Sequence, residues 1–125
     1  MVMLTDESVL LIKTTYRPYW GFPGGGVNRG ETPKDAAIRE TREESGVVVS
    51  TCEEFSTYVD HDYGLEVTVH VFIATNWVDS QHWKRGLEIG SREYFPFNAL
   101  PEELSPNTKI ALKTIFTRRG IQHTF

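Results

Sequence analysis

The chain has 125 residues, 39% hydrophobic and 24% charged, with a formal net charge of −4 and one cysteine, enough for one domain with a single core. The acidic balance argues against a general nucleic-acid or membrane-surface binder, since both need a basic footprint. Cys52 alone excludes an intrachain disulfide and makes a reducing cytoplasm the expected location, and no apolar run reaches the roughly 20 residues that span a bilayer. The opening MVMLTDESVLLIK lacks the basic region and cleavage site of a signal peptide. An anionic substrate would therefore be met by a local device such as a metal ion.

Neither repeats nor a low-complexity linker mark a boundary, so residues 1–125 read as one domain. MVML and SVLLIKT (8–14), separated by the turn signal TDE, suggest a hairpin. YWGF (19–22) reads as a short strand stopped by Pro23 and the glycines after it, with Trp20 and Phe22 expected in the core. A helix is predicted from about Pro33 to Ser45. Thr32 is a good N-cap, Pro33 suits the first helical position, Asp35 stands where it completes a capping box, and Gly46 fits the left-handed position past the end. VVVS (47–50) opens a strand. EFSTYV (54–59) and LEVTVHVFIATNW (65–77) then flank the turn-like cluster DHDYG as a long hairpin. Both alternating faces of the second stretch are apolar, which predicts a central strand covered on both sides. A polar loop (78–88), a last strand REYFPF (92–97) and a second helix SPNTKIALKTIFTRR (105–119) follow, with Ile110, Leu112, Ile115 and Phe116 at core-facing spacings. Strands mixed with one early and one late helix indicate an α/β layered fold.

Chemistry concentrates in PGGGVNRGETPKDAAIRETREESGV, residues 23–47. At about 100° per residue, Glu40, Glu43 and Glu44 fall within a helical arc of roughly 100°. Like charges spaced i,i+4 repel, so an acidic stripe needs a solvated face or a cation. Ala37, Ile38, Thr41 and Ser45 form a small-residue face for packing, which holds the carboxylates on a rigid element. Arg39 lies four residues before Glu43 and can orient it. The glycines just upstream let bare backbone approach a metal or a phosphate. Hard divalent ions such as Mg²⁺ take oxygen ligands, so this grouping suits one.

The segment resembles the signature of the Nudix hydrolase family. Gly25 is followed at the family's distances by Glu31, Arg39-Glu40, Glu43-Glu44 and Gly46-Val47. Thr41 departs from the pattern, occupying the slot that is usually aliphatic as a near-isostere of valine. The resemblance implies an α/β/α sandwich with a central mixed β-sheet. It also implies that Glu40, Glu43 and Glu44, with the Gly25 carbonyl, bind Mg²⁺ or Mn²⁺, while Glu31 and Arg39 tie the loop to the helix and aim the glutamates. The implied reaction is attack of activated water on a diphosphate bridge. Family members differ in which glutamate is the base, and some recruit one from a distant loop. Glu88 in GLEIGSREYF stands at a suitable spacing to be ligand or base, ahead of Glu93.

Tyr63, Trp83 and Arg17 are the candidate substrate contacts, the aromatics by stacking on a base and Arg17, with Lys13, by facing a phosphate. His61 between Asp60 and Asp62, and His82, read as solvated loop residues. A tyrosine at the position of Tyr63 is a trait of diadenosine-polyphosphate members, whereas the proline of ADP-ribose members is absent there. The expected function is hydrolysis of a nucleoside diphosphate linked to another moiety. The alternatives are a catalytically silent nucleotide-sensing module and a hydrolase of non-nucleotide diphosphates. No nucleic-acid or membrane partner is expected. Relatives are often dimers, which makes a homodimer a candidate assembly.

Overall fold

The computed structural model describes residues 1–62 and 64–123. In chain order it contains β1 (Ser8–Thr14), β2 (Trp20–Gly21), α1 (Pro33–Ser45), β3 (Val47–Asp62), β4 (Leu65–Asp79), β5 (Ile89–Pro96) and α2 (Pro106–Arg119). The helix ends are set by local hydrogen bonds. Thr32 Oγ1 accepts the Asp35 N–H at 3.1 Å, and Gly46, at φ 76°, donates its N–H to the Arg42 carbonyl at 2.9 Å. An L side chain is strained at that φ, so glycine closes α1 at low cost. In α2, Ser105 Oγ accepts the Thr108 N–H at 3.3 Å and Gly120 turns left-handed at φ 64°. Ser105 is thus the cap of α2 rather than its first residue.

Two compact units make up the chain. The first comprises Met1–Met3 and Pro23–His82, the second Leu4–Phe22 and Trp83–Phe125.

In the first unit α1 packs on β3 and β4, burying Ala36, Ala37, Thr41 and Ser45. Ala36 lies in this face, and Ile38, expected there, is only half-buried. Ser45 Oγ donates to the Thr41 carbonyl at 2.6 Å. The Thr41 hydroxyl oxygen is fully enclosed and has no hydrogen-bond partner among the described residues. Burying an unsatisfied hydroxyl costs free energy that a methyl does not. Thr41→Val is therefore expected to stabilise the protein by about 1 kcal/mol, read as a raised Tm in thermal unfolding.

VVVS and EFSTYV merge into the single strand β3, whose register slips at Val49/Thr51, Thr51/Cys52 and Glu54/Ser56 absorb the polar TCEE between them. Such bulges let a strand pass a poorly matched stretch without ending. DHD is part of this strand rather than of a turn, so His61 lies opposite Glu66. The expectation that β4 is covered on both sides holds only for Val71–Ala74. There Val2 adds a parallel bridge to Ile73, through Val2 N–H to the Phe72 carbonyl at 2.7 Å and Ala74 N–H to the Val2 carbonyl at 2.9 Å. Towards the hairpin end Leu65 and Val67 are exposed.

The second unit holds the antiparallel sheet β2-β1-β5. Val9–Ile12 of β1 are buried, a continuous apolar run as expected. Of the anticipated N-terminal hairpin only the bridge Leu4↔Val9 forms, closed by Thr5 N–H to the Ser8 carbonyl at 2.8 Å. Helix α2 buries Thr108, Ala111, Leu112, Ile115 and Phe116, a stripe at i, i+3, i+4, i+7 and i+8. Each fully buried aliphatic or aromatic side chain contributes about 1.5–3 kcal/mol. Ile110, predicted to face the core, is 63% exposed. It stands about 200° round the helix from Leu112, off the stripe. Trp20 and Phe22 are half-buried rather than core residues, and the Trp20 ring meets Phe95 edge-on at 4.8 Å.

Candidate active site

The site lies within the first unit, where the loop from Pro23 to Glu31 runs beside α1. Its organiser is Arg39. The guanidinium donates from Nε to Glu31 Oε2 at 2.7 Å and from Nη2 to Glu31 Oε1 at 3.0 Å, a bidentate fork that matches the carboxylate plane. Nη2 also reaches the Gly26 carbonyl at 3.1 Å, while Nη1 donates to Glu40 Oε1 at 3.0 Å and Glu43 Oε2 at 3.3 Å. One side chain thus ties the loop to two acidic residues of the helix. The Asn28 N–H adds a bond to Glu31 Oε1 at 2.9 Å. The Arg39 bonds first, and the Asn28 N–H second, hold the Glu31 carboxyl down at about 2, so it is ionised at neutral pH. Glu31 and Glu40 in turn hold the guanidinium still further above its already high value.

Gly25 faces the Glu40 carboxylate. A Cβ built there would lie 2.6 Å from Glu40 Cδ and 2.8 and 2.9 Å from its two oxygens, closer than van der Waals contact allows. The same addition at Gly24 or Gly26 meets nothing within 4 Å. Close approach of backbone to carboxylate therefore requires glycine at Gly25. Gly24 contributes through its N–H, which donates to Glu44 Oε1 at 2.7 Å. Glu40, Glu43 and Glu44 are brought together with the loop, and their donor set of carboxylate and carbonyl oxygens fits a hard divalent cation. Among the described residues no three His, Cys, Asp or Glu side chains converge closely enough to hold a metal ion as they stand. Glu40 and Glu43 instead share the Nη1 of Arg39, which offsets the like-charge repulsion along α1.

A family model described as "NUDIX domain" matches residues 1–115. The chain belongs to the Nudix family. It is 36% identical over 76 residues to an 8-oxo-dGTP diphosphatase of Proteus vulgaris, a match covering 60% of this chain and 67% of that protein. It is 34% identical over 110 residues to an ADP-ribose pyrophosphatase of Methanocaldococcus jannaschii, covering 84% of this chain but only 64% of that relative's length. Among solved structures, a MutT NUDIX hydrolase from Burkholderia pseudomallei matches with a TM-score of 0.81 and 26% identity, over 91% of this chain and 92% of that one. The expected α/β Nudix fold is borne out, and the named relatives are hydrolases of phosphorus anhydrides.

The residues expected around this Nudix box are placed as follows. Tyr63 lies outside the described residues. Glu88, Trp83 and Arg17 belong to the second unit. Glu88 is exposed at the residue before β5, and its carbonyl accepts the Thr15 N–H at 2.8 Å. Trp83 is half-buried, whereas Arg17 is exposed with its guanidinium 5.8 Å from the Tyr16 ring centre. Lys13 stands similarly, 5.9 Å from the Trp20 ring. His82 and Glu93 are exposed, and His61 is solvated in β3 with Nε2 3.6 Å from Glu66 Oε1. Sequence reasoning missed the Gly24 N–H, the Gly26 carbonyl and Asn28 as participants. All three act through backbone atoms, which carry no residue-type signal.

Proposed function

We propose that this Nudix chain is a divalent-metal-dependent pyrophosphohydrolase cleaving the diphosphate bridge of a nucleoside diphosphate linked to another group, a class that takes in nucleoside triphosphates, dinucleoside polyphosphates and nucleotide sugars. The observation that carries the reading is the gathering of the three carboxylates beside the glycine loop, Glu40 and Glu43 on Arg39 Nη1 and Glu44 on the Gly24 N–H. Glu40, Glu43 and Glu44, together with the Gly25 carbonyl, would hold Mg²⁺ or Mn²⁺. Such an ion, when bound, lowers the pKa of bound water and neutralises charge on phosphoryl oxygens. Arg39 and Glu31 keep the loop and helix in register so that the carboxylates stay aimed at one place. Of the two roles open to Glu88, ligand or base, we take that of proton acceptor for the attacking water. Trp83 and Tyr63 are the stacking partners for the base of the substrate, and Arg17 is the partner for a phosphate. Residues 1–125 act as one domain in the cytoplasm, as a monomer or homodimer, with a small anionic substrate and no nucleic-acid partner. No helix among the described residues is long and apolar enough to cross a membrane.

The test is a panel of nucleoside triphosphates, dinucleoside polyphosphates, nucleotide sugars, and isoprenoid and inositol diphosphates, assayed with Mg²⁺, with Mn²⁺ and with a chelator. Release of a nucleoside monophosphate that needs the metal and stops on chelation is the expected result. Calorimetric binding of a nucleotide without turnover in either metal would instead identify a sensing module. Turnover confined to the non-nucleotide compounds would move the substrate class.

A further inference from the structure

In the second unit, Thr15 follows β1 and meets the turn before β5. Its N–H donates to the Glu88 carbonyl at 2.8 Å, and its hydroxyl donates to the Leu87 carbonyl at 2.6 Å. Its methyl faces Gly90, where a built Cβ would come within 3.2 Å of Thr15 Cγ2. The turn is closed on its own side by the Gly86 N–H to the Ile89 carbonyl at 3.0 Å. The residues held this way do not bury side chains of their own: Leu87 is 99% exposed and Glu88 is exposed. A segment that contributes so little to a core is nonetheless gripped through successive carbonyls and the glycine just beyond. The strand register explains how. Pairing of β1 with β5 runs from Ser8↔Pro96 to Thr14↔Ile89, with a slip between Lys13 and Thr14, and Thr15 prolongs the contact past the slip.

We propose that Thr15 is a positioning residue for Glu88, fixing the main chain from which that carboxylate projects so that it is presented in one place as proton acceptor. This rests on the role given to Glu88 under the proposed function. The hydroxyl is the part that distinguishes threonine here, because any residue but proline supplies the N–H. A loosely held general base spends less of its time in reacting geometry, and small misplacements are costly in rate.

The test uses Thr15→Val, which keeps shape and methyl but removes the donor, Thr15→Ser, which keeps the donor, Glu88→Gln, and the Thr15→Val/Glu88→Gln pair. Thr15→Val is expected to lower kcat by about tenfold with KM within about twofold, and Thr15→Ser to restore kcat to within about twofold of the parent. Glu88→Gln is expected to lower kcat by about a hundredfold or more, with the double variant no slower than Glu88→Gln alone. In the metal-free protein, hydrogen exchange of the Gly86 amide should speed up in Thr15→Val and not in Glu88→Gln. Full kcat in Glu88→Gln would overturn the role of Glu88 itself. A slow Glu88→Gln combined with parent-like Thr15→Val, with losses that multiply in the double variant, or with unchanged Gly86 exchange would overturn the positioning role alone.

Discussion

Glu44→Gln is expected to lower kcat by about two to four orders of magnitude while leaving the melting temperature close to that of the parent. The expected separation comes from what Glu44 does in the structure. Its Oε1 accepts the Gly24 N–H at 2.7 Å, and the amide oxygen of glutamine can accept the same bond. The loop therefore keeps its anchor on α1. What glutamine cannot supply is the negative charge that a carboxylate brings to a hard divalent cation. Steady-state kinetics in saturating Mg²⁺ and Mn²⁺, beside a thermal melt, would read both quantities. Parent-level turnover in this variant would sink the assignment of the Nudix box as the reaction centre.

Gly25→Ala should produce a large loss of a different kind. The added carbon would stand 2.6–2.9 Å from the Glu40 carboxylate atoms, so that group must leave. It sits at the end of a flexible side chain and can move without dragging the backbone, which makes the cost to folding small. The cost to chemistry is not small, since Glu40 is displaced from Arg39 Nη1, 3.0 Å away in the parent. A shift of about 1 Å in a reacting constellation is worth roughly a hundredfold in rate, and a loss of that size is expected in kcat/KM. Gly26→Ala, with nothing within 4 Å of the new carbon, should lose far less. Equal losses in the two variants would mean that general stiffening of the loop, and not the Gly25–Glu40 approach, sets the effect.

These two expectations differ in how far they were legible beforehand. The spacing of Gly25, Glu31, Arg39, Glu40, Glu43 and Glu44 points to an oxygen-ligand centre and to the Nudix family, and the family match over residues 1–115 bears out the family. That Arg39 orients Glu43 was readable from the i,i+4 spacing. Its fork to Glu31 and its bond to the Gly26 carbonyl required the loop to fold back on the helix. Thr41 departs from the pattern on sequence alone, but the isolation of its hydroxyl emerges only from the packing of α1 on β3 and β4.

The errors share a cause. Ile110 is expected inward from its spacing to Ile115 and Phe116, yet it lies off the stripe of five residues that α2 buries. The alternating apolar residues of β4 looked covered throughout because alternation reports two similar faces and not what lies against them. Cover arrives only at Val71–Ala74, where Val2 bridges to Ile73 from the far end of the chain.

By itself the sequence determined the limits of α1, the acidic stripe and the alternation of strands with helices. Capping bonds and helical faces involve residues only a few positions apart, so their geometry follows from the local order of residue types. The tertiary structure decided which of three adjacent glycines must be glycine, which carboxylates share Arg39, and that Thr15 grips a turn 72 residues further on. Those outcomes depend on distances between segments that fold together, which no spacing along the chain specifies.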